Sequence, residues 1–326
     1  MRFFRKTLFW VIALAVIGGA FYFINRQVEE KKVVEEIKKR LFPFESGDIA
    51  EFQIIRGSES IFLRKEGGDW FLESPLRVLA DKEAVQKLLE AVINAKFEAT
   101  LFETQSEEKL KEMGISGKDN LSVTFKIASG LVKTIIFGDR NPTMNLGFAI
   151  LKDDPRIFRL TADIRAEVDK TVYDLRDKTA LSFEPLKSKG FEIKWLDGKS
   201  ITVEHPSEGK WHIVKPKEAV ANAIKVTELL YKIKNSKVKA FIDESPKDLT
   251  SYGLSKPTLK ITIIGENGKQ TELHIGEKDK KQRGMFAKRG DAQNIFLLEE
   301  DFMVEIPKNI EELEETEIDK KAEIRN

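Results

Sequence analysis

The feature that most constrains this chain is that most of it is written twice. Residues 118–179 align without a gap on 256–317 at an offset of 138, with about fifteen identities. They include Leu121/Leu259, Gly130/Gly268, Gly138/Gly276, Phe148/Phe286, Ile157/Ile295, Phe158/Phe296, Asp163/Asp301 and Leu175/Leu313. Upstream the match continues through Phe44/Phe183, Phe52/Phe191, Trp70/Trp211 and Pro75/Pro216, with small length changes in loops. A repeat this long implies two similar folding units in tandem, and the spacing sets them at 41–179 and 180–317, with the boundary near 179–182. Each is long enough to bury its own core without disulfides or a metal.

Periodicity then gives each unit its elements. In DKEAVQKLLEAVINA, Asp81 is placed to cap a helix, and Val85, Leu88, Leu89 and Val92 make one apolar stripe. The second copy puts Asn222 at the cap and Val226, Leu229, Leu230 and Ile233 on the stripe, so residue identity changes while the physical job is kept. Leu121, Val123, Phe125 and Ile127 alternate with polar residues, as do Leu259, Ile261 and Ile263, the period of a strand with one buried face. Gly67-Gly68, Ser129-Gly130, Asn267-Gly268 and Asp153-Asp154-Pro155 mark hairpin turns. The expectation per unit is three short strands, the capped helix, a strand, a short helix ending at Gly114 or Gly253, four more strands and a closing helix. Strands joined by tight turns pair antiparallel, so the fold class is α+β: two tandem homologous domains, each a mainly antiparallel sheet with packed helices, after one N-terminal transmembrane helix.

That first helix is expected at residues 7–24, TLFWVIALAVIGGAFYFI, an uncharged run close to the length needed to cross about 30 Å of hydrocarbon. Trp10 and Tyr22 lie near its ends, and Arg5-Lys6 and Arg26 bracket it. A cleaved secretory signal with its small-residue site at Gly18-Gly19-Ala20 is the alternative; the apolar run through Phe21–Ile24 favours an uncleaved anchor. Residues 1–6 then form a cytoplasmic tail, since a basic cluster followed at once by an apolar run is how export signals begin. Residues 25–40 alternate acidic and basic pairs, the pattern of a charged helical stalk. Residues 318–326 are expected to be a charged flexible tail.

These motifs together resemble a known bacterial family. The transmembrane start, LFPF at 41–44, GGDWFLESP, the helix after ADKEAVQKLL, KEMGI and LRDKT at 175–179 are similar to the domain of unknown function 4340 family. The resemblance covers nearly everything after residue 40. It implies an envelope protein, often with the domain in tandem, commonly encoded beside ABC-type transport components of the gliding-motility auxiliary kind. It supplies no ligand or catalytic residue to carry over. His212 in place of Phe71 and Ala180 in place of Leu41 are departures between the copies.

Composition excludes much chemistry. There is no cysteine, which removes disulfides, Cys-ligated metals, thiol catalysis and a lipidated cysteine. Charges nearly cancel, 55 Lys+Arg against 54 Asp+Glu, so net-charge attraction to nucleic acid is not expected. The three histidines, His205, His212 and His274, have no equivalents in the first copy and read as surface or packing residues. Gly198-Lys199-Ser200 resembles the end of a phosphate loop, but the earlier glycine is missing and the segment reads as a hairpin turn. Asp153-Asp154 and Asp243-Glu244 could serve as acid and base, although solvated turns account for them. Trp70 and Trp211, at strand spacing with Leu72 and Ile213, read as core rather than as a stacking platform. The expectation is therefore no catalytic, cofactor-binding or metal-binding residue, no cofactor, and no enzyme activity. A non-catalytic, single-pass protein of the bacterial cytoplasmic membrane is expected, its duplicated domains extracytoplasmic and acting as a scaffold or accessory subunit for a protein partner in a membrane complex. The alternative is a module binding an envelope polymer or small ligand in a groove between the domains.

Overall fold

The computed structural model describes residues 18–19, 21–28, 39–117, 120–141, 144–206, 210–290 and 292–316. The chain divides into two compact units, 1–177 and 178–326. The division falls two residues before the 179/180 boundary set by repeat spacing.

In the first unit, β1 (Ile49–Arg56), β2 (Glu59–Glu66) and β3 (Asp69–Ser74) form a meander. A two-residue strand that the periodicity does not show, β4 (Val78–Leu79), extends it. Helix α1 (Lys82–Ile93) follows, its first turn capped by the Asp81 carboxylate, which accepts from the amides of Glu83 and Ala84 at 3.1 Å. Then come β5 (Ala99–Phe102), α2 (Glu107–Glu112), β6 (Leu121–Ile127), β7 (Val132–Asn141), β8 (Leu146–Leu151) and β9 (Ile157–Leu160). The single closing helix expected from sequence is two short ones, α3 (Ala162–Val168) and α4 (Val172–Leu175).

The nine strands form one sheet in the order β4-β3-β2-β1-β6-β7-β8-β9-β5. Every pairing is antiparallel, as tight hairpins require. The chain leaves one edge at β4, runs through α1, and adds β5 to the opposite edge beside β9. The alternating phase is realised: Phe52, Ile54, Leu63, Leu72, Val123, Phe125 and Phe137 pack with Val85, Leu88, Leu89, Val92 and Ile93 of α1 in one core.

The second unit repeats this with β10 (Ser188–Trp195), β11 (Ser200–Glu204), β12 (His212–Lys215), β13 (Ala219–Val220), α5 (Ala223–Asn235), β14 (Ala240–Asp243), β15 (Leu259–Gly265), β16 (Gln270–Asp279), β17 (Gly284–Arg289), β18 (Ile295–Glu299) and α6 (Phe302–Glu305). Its sheet order is the same, β13-β12-β11-β10-β15-β16-β17-β18-β14. Asn222 caps α5 through the amides of Ile224 (2.9 Å) and Lys225 (3.2 Å). The short helix expected before Gly253 is a 3-10 turn, Thr250–Tyr252, and α6 is followed by a second one at Ile310–Glu312. The two extra residues of this copy are split between hairpins. Ile54 faces Ile61 where Ile193 faces Ile201, and Leu63 faces Leu72 where Val203 faces Ile213, so each turn gains one.

Two of the glycine pairs matched between copies, Gly114/Gly253 and Gly138/Gly276, have a cause common to both units. Gly114 and Gly253 take φ of 66° and 67°, ending the short helical turn in the left-handed region. Gly138 and Gly276 lie at a register shift in β7 and β16, and the preceding turn presses onto them. A Cβ at Gly138 would stand 2.2 Å from the Met113 carbonyl oxygen; at Gly276 it would stand 2.1 Å from that of Tyr252.

The predicted membrane span at 7–24 and the stalk at 25–40 lie largely outside the described residues, as does the tail from 318. Phe21–Val28 is helical. Among the described residues no helix is long and apolar enough to cross a membrane.

Candidate functional site

The residues singled out by sequence are scattered rather than convergent. His274 on β16 is paired with Glu272 on the same face, 2.9 Å from Nε2 to Oε2, and Glu272 also takes Lys260 at 2.7 Å. Burial works to raise the Glu272 carboxyl pKa, but the hydrogen bonds from Lys260 and His274 outweigh it and hold the group below the ordinary carboxylate range. His205 stacks on Trp211, ring centroids 4.6 Å apart, while His212 is exposed on β12 opposite Glu204. Trp70 and Trp211 are both buried. Trp70 meets the edge of Phe52 at 5.2 Å.

Neither carboxylate pair is arranged as acid and base. Asp153 pairs with Lys133 at 3.3 Å. Asp154 is gripped by Arg156 through two parallel contacts, Nε to Oδ1 at 2.9 Å and Nη2 to Oδ2 at 2.7 Å. That fork holds the Asp154 carboxyl below the usual range, the wrong direction for a general acid. Asp243 accepts from the Ser245 amide (2.9 Å) and the Tyr252 hydroxyl (3.2 Å), closing a turn. Among the described residues no group of three His, Asp or Glu side chains is gathered to hold a metal.

A recessed feature does emerge where the copies diverge. In the second unit a groove of about 610 Å³ is lined by Trp195, Lys199, Ser200, Ile201, Pro216, Lys217, Lys308, Asn309, Ile310 and Glu311. Trp195 ends β10 on the face that carries Phe191 and Ile193, so its half-buried indole extends the core to the surface. Ile201 and Ile310 are buried beneath it. Lys199 closes the hairpin, its carbonyl accepting from the Trp195 amide at 3.0 Å, and Lys217 follows Pro216. Lys308 comes from the closing segment.

The first unit shows what the same scaffold does without the groove chemistry. Strand register places Arg56 opposite Leu121 where Trp195 stands opposite Leu259, and the repeat offset places Asp169 at the position of Pro307. Arg56 donates through Nη2 to the Asp169 carboxylate and through Nη1 to Glu59 at 3.4 Å, tying the strand end to the closing segment. The second copy replaces every member: Arg56 by Trp195, Asp169 by Pro307 and, at the hairpin, Glu59 by Lys199. The strut is gone and the mouth is rimmed by lysines. Sequence reasoning treats Gly198-Lys199-Ser200 as a hairpin turn; Gly198 and Lys199 close that hairpin and Ser200 opens β11, while Trp195, Lys217 and Lys308 carry no local signal. The available signal was the joint loss of Arg, Asp and Glu at three matched positions.

A family model described as a domain of unknown function (DUF4340) matches the chain twice, over residues 70–211 and 211–320. Each match begins at the repeated tryptophan, so the first takes β3 onward from one unit and ends in the opening strands of the next. The family thus describes the duplication in a frame shifted from the structural units, which divide after Asp177. No curated protein and no solved structure matches the chain.

Proposed function

The chain belongs to the DUF4340 family, which carries no assigned chemistry, and we propose that it is a non-catalytic, single-pass protein of the bacterial cytoplasmic membrane. Its duplicated α+β domains stand outside the membrane as an interaction scaffold, an accessory subunit of an ABC-type transport or gliding-motility-like complex. The observation that carries the reading is at the N-terminus. Phe21, Tyr22, Phe23 and Ile24 are consecutive on a helix and 62–67% exposed. Successive helical side chains are about 100° apart, so these four present apolar surface nearly all round. A helix of that kind needs an apolar surround, and the uncharged run from Thr7 to Ile24 supplies the length for a bilayer.

The absence of cysteine makes the topology directly testable. Leu186→Cys introduces one thiol at a side chain that is 79% exposed. A membrane-impermeant maleimide should label it in intact spheroplasts, whereas labelling only after lysis would refute the orientation. Crosslinking of the full-length protein in its native membrane, followed by mass spectrometry, tests the scaffold role. Recovery of transporter subunits supports it; reproducible recovery of no membrane partner refutes it.

A further inference from the structure

The groove on the second unit has a floor and a rim of different character, and together they restrict what can fill it. Its floor is the Trp195 indole with Ile201, Ile310 and Pro216, surfaces that gain from covering apolar groups and cannot satisfy a row of hydroxyls. The rim carries Lys199, Lys217 and Lys308 against one acid, Glu311. Asp197 pairs with Lys199 at 3.0 Å and Glu314 with Lys217 at 3.7 Å, both in solvent-exposed geometry where such pairs are weak. The Lys308 ammonium has no partner among the described residues, although its counterpart Lys170 reaches Glu167 at 3.5 Å and the Ala166 carbonyl at 3.5 Å. The volume lies in the range of sites that enclose a few side chains or a small molecule.

The duplication supplies an internal comparison for this place in the fold. In the first unit the Arg56–Asp169 ion pair spans it. The difference between the copies is a coordinated change at residues far apart in sequence, and it puts Lys199 where the first unit has Glu59.

We propose that this groove is a docking site for a short acidic segment of a partner protein, an apolar anchor side chain seated on the half-buried Trp195 indole with flanking carboxylates on the lysine rim. Apolar anchor plus charged flanks is a common division of labour in peptide recognition, the anchor giving affinity and the charges giving register and partner choice. The inference deepens the scaffold reading by stating the partner's chemistry. Its test uses neither a membrane partner nor the orientation of the chain, so the two can fail separately.

The experiment is fluorescence anisotropy of a fluorescein-labelled peptide, Glu-Asp-Leu-Phe-Asp-Glu, titrated with the full-length protein in neutral detergent micelles. Saturable binding at about 10–100 μM is expected for a contact of this size. The peptide Glu-Asp-Ala-Ala-Asp-Glu, without the anchor, should bind at least about tenfold more weakly. Trp195→Arg with Pro307→Asp rebuilds the first unit's ion pair and should cost the full peptide at least about tenfold. Lys217→Glu with Lys308→Glu changes only exposed side chains, guards against a folding defect in the first variant, and should weaken binding at least about fivefold while flattening its salt dependence. No binding of the peptide up to about 1 mM would overturn the proposal. Unchanged affinity in both variants would do the same. Binding of trigalacturonate at this groove with none of the peptide would overturn it in favour of an anionic saccharide.

Discussion

Replacing Gly138 by alanine tests whether the repeated glycines are fixed by packing or by backbone freedom. The position has no positive φ, so alanine is allowed by the backbone and the whole effect is steric. The new Cβ would lie 2.2 Å from the Met113 carbonyl oxygen and 2.6 Å from Ile115 Cγ1. That oxygen accepts the Asp139 amide at 2.8 Å, and the Gly138 carbonyl is itself held by Arg165, so neither strand nor turn can move freely. Ile115 is buried in a small cluster with Ile150 and Ile157. Overpacking of a filled site costs about 1–3 kcal/mol and the displaced backbone hydrogen bond about 1 kcal/mol. Restricting the unfolded chain returns about 0.4–1 kcal/mol. The expected loss is therefore about 1–3.5 kcal/mol, confined to the first unit. Urea unfolding of the full-length protein in micelles, followed by circular dichroism, reads it. Gly47→Ala is the reference, because a Cβ there meets nothing within 4 Å, and it should stay within about 0.5 kcal/mol of the parent. Gly276→Ala should reproduce the loss in the second unit, where the Cβ would meet Tyr252 O at 2.1 Å and Leu254 Cγ at 3.0 Å. If Gly138→Ala and Gly276→Ala both matched Gly47→Ala, the steric account of the repeat glycines would be wrong.

Other expectations follow from single contacts. Asn222→Ala removes the cap of α5 and should cost about 1 kcal/mol of second-unit stability, while Asn222→Asp should cost little, since Asp81 does the same job in the first unit. Asp154 is held below its unfolded pKa of about 3.9, so its contribution is complete above that pH and is lost as pH falls through the folded value. Asp154→Asn should therefore flatten the acid limb of the stability profile measured between pH 5 and 2, roughly the range where carboxylates titrate. Arg289 donates to the carbonyls of Thr179 and Ala180 and covers the Phe296 ring; Arg289→Met should cost about 1–3 kcal/mol in urea unfolding, by loss of hydrogen bonds from a charged donor. Arg56→Ala opens two solvent-accessible ion pairs, to Asp169 and Glu59, and should cost less than about 1 kcal/mol.

Much of each unit was legible locally. The α1 and α5 stripes, their Asp81 and Asn222 caps, and the alternation in β6 and β15 depend on neighbours within a few residues, and the hydrophobic period records them directly. The short helix before Gly253 was misread because three residues of 3-10 turn and one turn of α-helix look alike in sequence. Strand β4 escaped because two residues cannot show a period.

Sequence alone determined the duplication, the fold class and the positions where glycine repeats. Tertiary structure decided that β5 and β14 cross to the far edge of their sheets, because antiparallel pairing between β5 and β9 joins residues far apart in the chain and leaves no local trace. It also decided what the two copies do at the matched sheet end. Arg56 and Asp169 are 113 residues apart, and their meeting across the sheet end is what makes the change to Trp195 and Pro307 an opening rather than two unrelated substitutions. The cause is the same in both cases: periodicity fixes which face a side chain takes, while partners across the fold fix what that face touches.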